Sequence, residues 1–480
     1  MNVTECLREQ AQRKSDAIAV VRHGNVPVTY RDLDRSIDYA ASRALALALR
    51  PGMTVALSSY LKGGGDPYAF LVLSLAFARI GVATGSRLLP AKHRDRSIAI
   101  GPVQSADELS AGPEWYTAPE SGMHVEPVPV HQDPSAICRI FPSSGTTGLP
   151  KHIAITHEMM WRRIERRREG MPFSSSLCLM SAIGYANHYW FRDALNCLSL
   201  GGKLVLTPFL KTAPEHRINY LIAPPNMIER ILQNRAPDAG PDPSLETVEI
   251  GGSLLSIELA NEVRKRLCAN IYCSYGSTEA GPVARGPFGS LEHEHGAVGF
   301  LDPGVEMQAV DENDRILPPG TTGRLRIRSD TCVTSYFDDP QASARSFRQG
   351  WFYPGDLGSV SPAGMLTIAG RVDEIINRGG NKISPLAIDA VLRGVPGIHD
   401  AAAFGMPRAN GRTEIWAAIV VEDAPSLSET LQATCRAALG ANAPTTYIRL
   451  KKIPRNEMGK IVRHDLVRIA QRARKDPSGS

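Results

Sequence analysis

The chain has 480 residues, 43% of them hydrophobic and 21% charged, with a formal net charge of +5. That balance describes a globular protein of roughly two to four domains. It gives no support to nucleic-acid binding, and no stripe of interleaved aromatic and basic residues adds any. Cys6, Cys138, Cys178, Cys197, Cys268, Cys273, Cys332 and Cys435 form no Cys-x-x-Cys pair, which predicts reduced, mostly buried thiols in a cytoplasmic protein. The polar N-terminal stretch lacks the core of a signal peptide. The longest apolar run, Tyr68 to Ala78, is too short to span a bilayer and reads as a buried helix.

In chain order, Ala17 to Val21 and Val26 to Thr29 read as short strands. Thr29 then caps a helix, with Asp32 placed for a near capping box. Leu33, Ile37, Ala41, Ala44, Leu45 and Ala48 recur at helical spacing until Pro51-Gly52 stops it. Val55 to Ser59 is the next strand, and a helix follows through Arg79, ending at Gly81. This alternation predicts an α/β protein with mostly parallel strands. Residues 86–133, rich in Pro, Gly and charge, read as a loop-heavy connector. Ala136 to Phe141 is an apolar run, and Ile153 to His157 is strand-like. Met159 to Glu169 is a helix whose Arg162, Arg163, Arg166, Arg167 and Arg168 read as a solvated basic face.

Between the apolar run and that strand lies Phe141-Pro-Ser-Ser-Gly-Thr-Thr-Gly-Leu-Pro-Lys151. Small residues let a backbone approach a ligand closely. Hydroxyls and N–H groups donate to anionic oxygens, and Lys151 adds a mobile positive charge. The chemistry suits phosphate, although an ordinary Ser/Thr/Gly turn has the same composition. The spacing is not that of a Walker A loop. Further on come Gly251-Gly-Ser253, Tyr275-Gly-Ser-Thr-Glu279 and Trp351-Phe-Tyr-Pro-Gly-Asp356. Gly370-Arg-Val-Asp373 leads to Arg378-Gly-Gly380, and Pro454-Arg-Asn-Glu-Met-Gly-Lys460 closes the series.

Taken together and in this order, these stretches resemble the motifs of the adenylate-forming superfamily over about residues 15–466. That superfamily holds acyl- and aryl-CoA synthetases, adenylation domains of non-ribosomal peptide synthesis, and firefly-type luciferases. The chain is most similar to an AMP-forming acyl-CoA synthetase. The resemblance implies a large N-terminal domain of layered α/β subdomains over residues 1–370, a hinge at 371–373 around Asp373, and a small mobile α+β cap over 374–480. The active site would lie between the domains, and residues from about 470 to 480 would be a disordered tail.

The resemblance also implies roles. ATP would be held by Ser143, Ser144, Gly145, Thr146, Thr147 and Lys151 at its departing phosphates. Gly251, Gly252 and Ser253 would contact adenine and the acyl group, and Tyr275 with Gly276 would stack on adenine. Asp356 and Arg371 would take the ribose. Thr278 would bond phosphate, Glu279 would hold Mg²⁺, and Lys460 would complete adenylation. Gly379 and Gly380 would let the pantetheine arm of coenzyme A pass. Asn187 and His188, with Gly252, would line the pocket for a small carboxylic acid. The segment Ala182 to Phe191 lacks the acidic partner an amino-acid ammonium needs, and its aromatics favour an aromatic or short acid.

Three positions depart from the family pattern: His152 stands where glycine is usual, Arg324 where Glu is usual, and Ala387 where Glu is common. Glu292-His-Glu-His295 has a metal-like composition without a further ligand cluster nearby in sequence. The activity implied is ATP-dependent conversion of the acid to an acyl-adenylate, then transfer to coenzyme A. An acyl-AMP ligase that loads a carrier-protein phosphopantetheine is the alternative. A catalytically idle relative and a luciferase-like enzyme remain open.

Overall fold

In the computed structural model, the residues described are 1–59, 66–100, 103, 107–117, 124–143, 150–206, 216–378, 381–408, 413–421, 427–456 and 458–475. They form two compact units. The first comprises Met1–Ser290, Leu301–Val305 and Arg328–Phe352. The second comprises Leu291–Phe300, Glu306–Ile327 and Tyr353–Ser480.

The first unit begins α1 (Glu5–Arg13), β1 (Ile18–Arg22), β2 (Val26–Thr29), α2 (Tyr30–Ala46), β3 (Thr54–Ser59), α3 (Pro67–Arg79) and β4 (Ala83–Ser86). Thr29 caps α2 as expected, its hydroxyl accepting from the Asp32 N–H at 3.1 Å. Helix α3 is apolar on every side, so it is buried on every side, from Tyr68 to Arg79. Arg79 at its end is compensated by Asp34 and Asp38 of α2, at 2.6 and 2.7 Å. Among the described residues, no helix is long and apolar enough to cross a membrane.

Residues 86–133 are more structured than their composition suggests. Within them, β5 (Arg96–Ile100) and β6 (Glu108–Ala111) precede the short α4 (Pro113–Tyr116). Strand β5 pairs in parallel with β3, and β6 pairs with β5. The apolar core of β5 is only Ile98 to Ile100, too short to stand out beside Arg94, Asp95 and Arg96. A sheet of order β6-β5-β3-β4-β7-β8 results, completed by β7 (Ile137–Pro142) and β8 (His152–Thr156).

Next come α5 (His157–Arg168), β9 (Cys178–Ser181), α6 (His188–Ser199), β10 (Lys203–Val205), β11 (Tyr220–Ala223), β12 (Thr247–Gly251), β13 (Ile271–Ser277) and β14 (Gly281–Pro287). Strands of the first unit run β14-β13-β12-β11-β9-β10-β1-β2. The pairings from β13 through β1 are parallel, and β14 and β2 pair antiparallel at the ends. Short apolar strands alternating with helices produce this layering.

Helix α5 corrects the expectation of a solvated basic face. Arg163, Arg166 and Arg167 are buried, and only Arg162 of the five arginines pairs chiefly at the surface. Arg167 is salt-bridged to Asp193 and Glu249, and Arg166 to Asp330. Burial of these cations is tolerable because each meets carboxylates or carbonyls.

In the second unit, strands Ala297–Leu301 and Gly323–Arg328, except for their last residues, and strands Asp356–Val360 and Met365–Arg371 contribute antiparallel pairings. A hairpin of Ile376–Arg378 and Asn381–Ile383 comes next. The strand Ile398–Pro407 then pairs antiparallel with Thr413–Val421, which pairs parallel with Thr446–Arg449. Alternation sorts their side chains onto two faces. Ala401, Ala403, Ile415 and Ala417 pack with Ile388 and Leu431 of helices Pro385–Arg393 and Leu427–Leu439. Ala402, Phe404, Trp416 and Ala418 pack with Leu466 and Ala470 of helix Arg463–Lys475. That helix occupies part of the stretch expected to be disordered, because Ala470 is needed in the core. Residues 476–480 lie outside the described residues.

Candidate active site

The Ser/Thr/Gly stretch joins β7 to β8, which pair antiparallel. The Ser143 N–H donates to the Lys151 carbonyl at 2.7 Å, and the Lys151 N–H donates to the Ser143 hydroxyl at 3.2 Å. These bonds close the hairpin and bring the two ends of the loop together. Ser144, Gly145, Thr146 and Thr147 lie outside the described residues. The Lys151 ammonium lies 4.6 Å from the ring centroid of Tyr336, a cation–π contact. The Tyr336 hydroxyl donates to Glu279 Oε1 at 3.1 Å. Tyr336 therefore links the loop's lysine to the expected magnesium ligand, and no sequence motif singles it out. His152 is buried, and its carbonyl accepts from the Phe337 N–H at 2.7 Å. Burial, with a lesser contribution from His93, lowers the pKa of its imidazole.

The Tyr275-to-Glu279 motif ends β13, where Gly276 leaves no room for a side chain: an added Cβ would meet the Gly281 carbonyl at 2.4 Å. Arg163 of α5 organises the turn beyond that strand. Its guanidinium donates to the carbonyls of Thr278 and Glu279, both at 2.9 Å. It also reaches the Thr331 carbonyl, through Nε at 3.1 Å and Nη2 at 2.8 Å. Its Nη1 lies 2.9 Å from His188 Nε2, which must accept because arginine only donates. Burial and the nearby Arg163, Arg192 and Arg139 hold the His188 pKa well below its ordinary value, so the ring is neutral. His188 is thus a buried support for Arg163, with its ring edge-to-face on Phe141 at 5.2 Å. Asn187 caps α6, accepting from the Tyr189 N–H at 2.9 Å.

Gly251 closes β12, and Gly252 comes next with φ +89°, a conformation that favours glycine. A Cβ on Gly251 would meet Ser274 Oγ at 2.7 Å and Tyr189 Cε1 at 3.1 Å. The Tyr189 hydroxyl donates to Glu249 and lies 2.7 Å from Ser274 Oγ. Glu249 is buried, which alone would raise its pKa. The Arg167 charge, with hydrogen bonds from Tyr189 and Tyr220, instead holds it well below the usual carboxylate range. Ser253, also expected here, is half-buried in the turn after β12.

In the second unit, Asp356 and Arg371 face each other across antiparallel strands. Arg371 Nη1 donates to Asp356 Oδ1 at 3.1 Å and to the Pro354 carbonyl at 2.8 Å, and Nε donates to Asp373 at 3.1 Å. Burial opposes the arginine's charge, yet Asp356 and Asp373 outweigh it and raise the pKa. Asp373 itself lies in a single 3₁₀ turn, Val372–Glu374. Arg378 and Asn381 pair across the next hairpin, while Gly379 and Gly380 lie outside the described residues. Lys460 is exposed in a tight turn, where its N–H donates to Asn456 Oδ1 at 3.0 Å and its carbonyl accepts from the Asn456 N–H at 2.9 Å. Arg463 anchors that turn's exit, donating to Asp389 at 2.7 Å and Glu374 at 3.1 Å.

Of the positions that depart from the family pattern, Arg324 donates to the Asp311 carbonyl at 2.7 Å and Ala387 lies in helix Pro385–Arg393. Glu292 to His295 form turns, not a strand. Among the described residues, no three His, Cys, Asp or Glu side chains are grouped to hold a metal.

The family of AMP-binding enzymes matches residues 75–337, more than half of the chain. Triostin synthetase I of Streptomyces triostinicus is 27% identical over 516 residues, spanning 97% of this chain and 94% of that protein. An oxalate–CoA ligase of Saccharomyces cerevisiae is 28% identical over 343 residues, spanning 68% of this chain and 62% of that enzyme. O-succinylbenzoate coenzyme A synthetase of Bacillus subtilis, solved with ATP and a magnesium ion, superposes with a TM-score of 0.83 at 20% identity, over 96% of this chain and 98% of that one. The chain therefore belongs to the AMP-binding enzymes of the adenylate-forming superfamily, and it shares their fold of a larger N-terminal and a smaller C-terminal domain.

Proposed function

We propose that the protein activates a small carboxylic acid with ATP and passes the acyl group to the thiol of coenzyme A. In the first step a carboxylate oxygen attacks the α-phosphorus, and the bond to the departing pyrophosphate breaks. A carboxylate is already ionised at neutral pH, so no general base is needed. The requirement is charge neutralisation at the phosphoryl oxygens.

The observation that carries this reading is the line Lys151–Tyr336–Glu279. It joins the Lys151 cation, at the end of the Ser/Thr/Gly stretch, through Tyr336 to a buried carboxylate. Glu279 suits magnesium, which takes one or two carboxylates and keeps water and phosphate for the rest. Bound there, the ion would neutralise phosphate charge. Arg163 holds the Thr278 and Glu279 carbonyls so that the motif keeps its shape. Asp356 would accept from ribose hydroxyls, with Arg371 fixing its orientation. Lys460 supplies a mobile charge for adenylation. Asp373 would act as the hinge, and Gly379 and Gly380 would admit the pantetheine arm. In the second step the thiol attacks the acyl carbon, and the C–O bond to AMP breaks.

Coenzyme A as acceptor is supported by the oxalate–CoA ligase among the relatives. The test is AMP release across aryl, short, medium and long acids, with coenzyme A or a phosphopantetheinyl carrier protein as acceptor. Acid-dependent AMP release with acyl-CoA formation is expected. Acylation of the carrier protein alone would replace the acceptor, and no acid-dependent AMP would overturn the reading.

A further inference from the structure

Three segments far apart in sequence meet at one point: Tyr189 at the start of α6, Gly251 at the end of β12 and Ser274 in β13. Behind them is a buried polar network. Glu249 takes hydrogen bonds from Tyr189, Tyr220 and Arg167, while Asp193 pairs with Arg167 and Arg192. The two carboxylates are balanced by the two arginines, so the network carries no surplus charge that would call for a charged ligand group. Tyr189 and Ser274 are its half-buried, open end, whereas Glu249 and Asp193 are fully enclosed.

Proton bookkeeping fixes the character of that open end. An ionised carboxylate only accepts, so both tyrosines give Glu249 their single proton. Burial and the negative charge of Glu249 keep the Tyr189 hydroxyl protonated, so this donation persists at neutral pH. Tyr189 then has no proton left for Ser274, and the 2.7 Å contact must be a donation from Ser274 to Tyr189. Ser274 Oγ is left with lone pairs. A ligand group placed against it is held best when it brings a donor, because taking the serine proton would break the bond to Tyr189.

We infer that the acid this protein activates is a monocarboxylic acid carrying a hydrogen-bond donor, such as a hydroxyl, at its far end, read by Ser274 through Tyr189 and Glu249. This rests on the proposed acid activation. A second carboxylate at that place would meet lone pairs unless Ser274 gave up its bond to Tyr189, and is selected against. Gly251 belongs to the same device, since a side chain there would separate Tyr189 from Ser274.

The test uses matched acids: benzoic against 4-hydroxybenzoic, cinnamic against 4-hydroxycinnamic, butyric against 4-hydroxybutyric, and succinic as the dicarboxylate. Acid-dependent AMP release and calorimetric binding of each acid are both measured. For at least one pair, the hydroxylated acid should be favoured roughly ten- to a hundredfold in kcat/KM and in affinity, with succinic acid poorest. Ser274→Ala should erase the preference by raising KM for the hydroxylated acid alone. Tyr189→Phe frees the serine proton, so it should relax the exclusion of succinic acid. Each keeps nearly the native volume, and a thermal unfolding scan confirms folding. Equal use of every pair, or a preference for succinic acid, with AMP still formed, overturns this inference alone. Absence of AMP with every acid overturns the proposed function and this inference with it.

Discussion

Replacing Arg163 by lysine tests the buried scaffold of the site. The guanidinium serves the carbonyls of Thr278, Glu279 and Thr331 at once. The Glu279 carbonyl has a second donor, the Val333 N–H at 2.9 Å, so it is not orphaned by the change. The Thr278 and Thr331 carbonyls and His188 Nε2 lose their arginine donors, at about 1–3 kcal/mol for each buried group left unsatisfied. A lysine ammonium can reach one of the three, leaving a net loss of about 2–6 kcal/mol and a less firmly held Thr278–Glu279 turn. Urea unfolding should report that loss, with unchanged m-value. Acid-dependent ATP–pyrophosphate exchange should fall roughly tenfold or more, because a small misplacement of Glu279 and Thr278 is costly at a phosphoryl centre. Wild-type stability together with wild-type exchange in Arg163→Lys would refute the assignment.

Three further outcomes are expected, two from the proposed function and one from burial. Lys460→Ala should lower adenylate formation by roughly 10²–10³ while supplied acyl-adenylate is still converted to thioester; equal loss of both half-reactions would remove that role. Asp356→Ala should raise the KM for ATP roughly tenfold or more, since a side-chain acceptor for the ribose is lost; an unchanged KM would count against it. Stability should also fall in acid. Burial, with help from the His131 charge, pushes the His157 pKa down to about 4 from an ordinary 6.5. The unfolded chain therefore binds the proton first. The contribution of neutral His157 is full above about pH 6.5 and is lost as pH drops toward 4, by about 3 kcal/mol. Urea midpoints from pH 7.5 to 4.5 should show this fall, and His157→Gln should flatten it; an equally steep fall in the variant would refute the assignment.

The features legible in the sequence are those encoded locally. The Thr29 cap, the all-apolar α3 and the strand before the Ser/Thr/Gly turn each depend on neighbours within one or two turns of chain. The arginines of α5 are not legible in that way, because their compensation comes from far away: Thr331 for Arg163, and Asp193 and Glu249 for Arg167. Charge composition alone cannot distinguish a solvated arginine from one with distant carboxylate and carbonyl partners. Tyr336 escapes a sequence reading for the same reason, since only the fold brings it to Glu279 and Lys151. The spacing of Met160, Arg163, Ile164 and Arg167 along one helical face holds a usable signal, because Met160 and Ile164 have to face a core.

The central claim is that a carboxylate oxygen of the acid becomes bonded to the α-phosphorus. Incubating the protein with ATP, Mg²⁺, coenzyme A and a turned-over acid labelled with ¹⁸O in its carboxylate tests this directly by mass spectrometry. One labelled oxygen should appear in the AMP, left there when the thiol breaks the acyl C–O bond. Unlabelled AMP, or label in inorganic phosphate with ADP as the nucleotide product, would contradict the account.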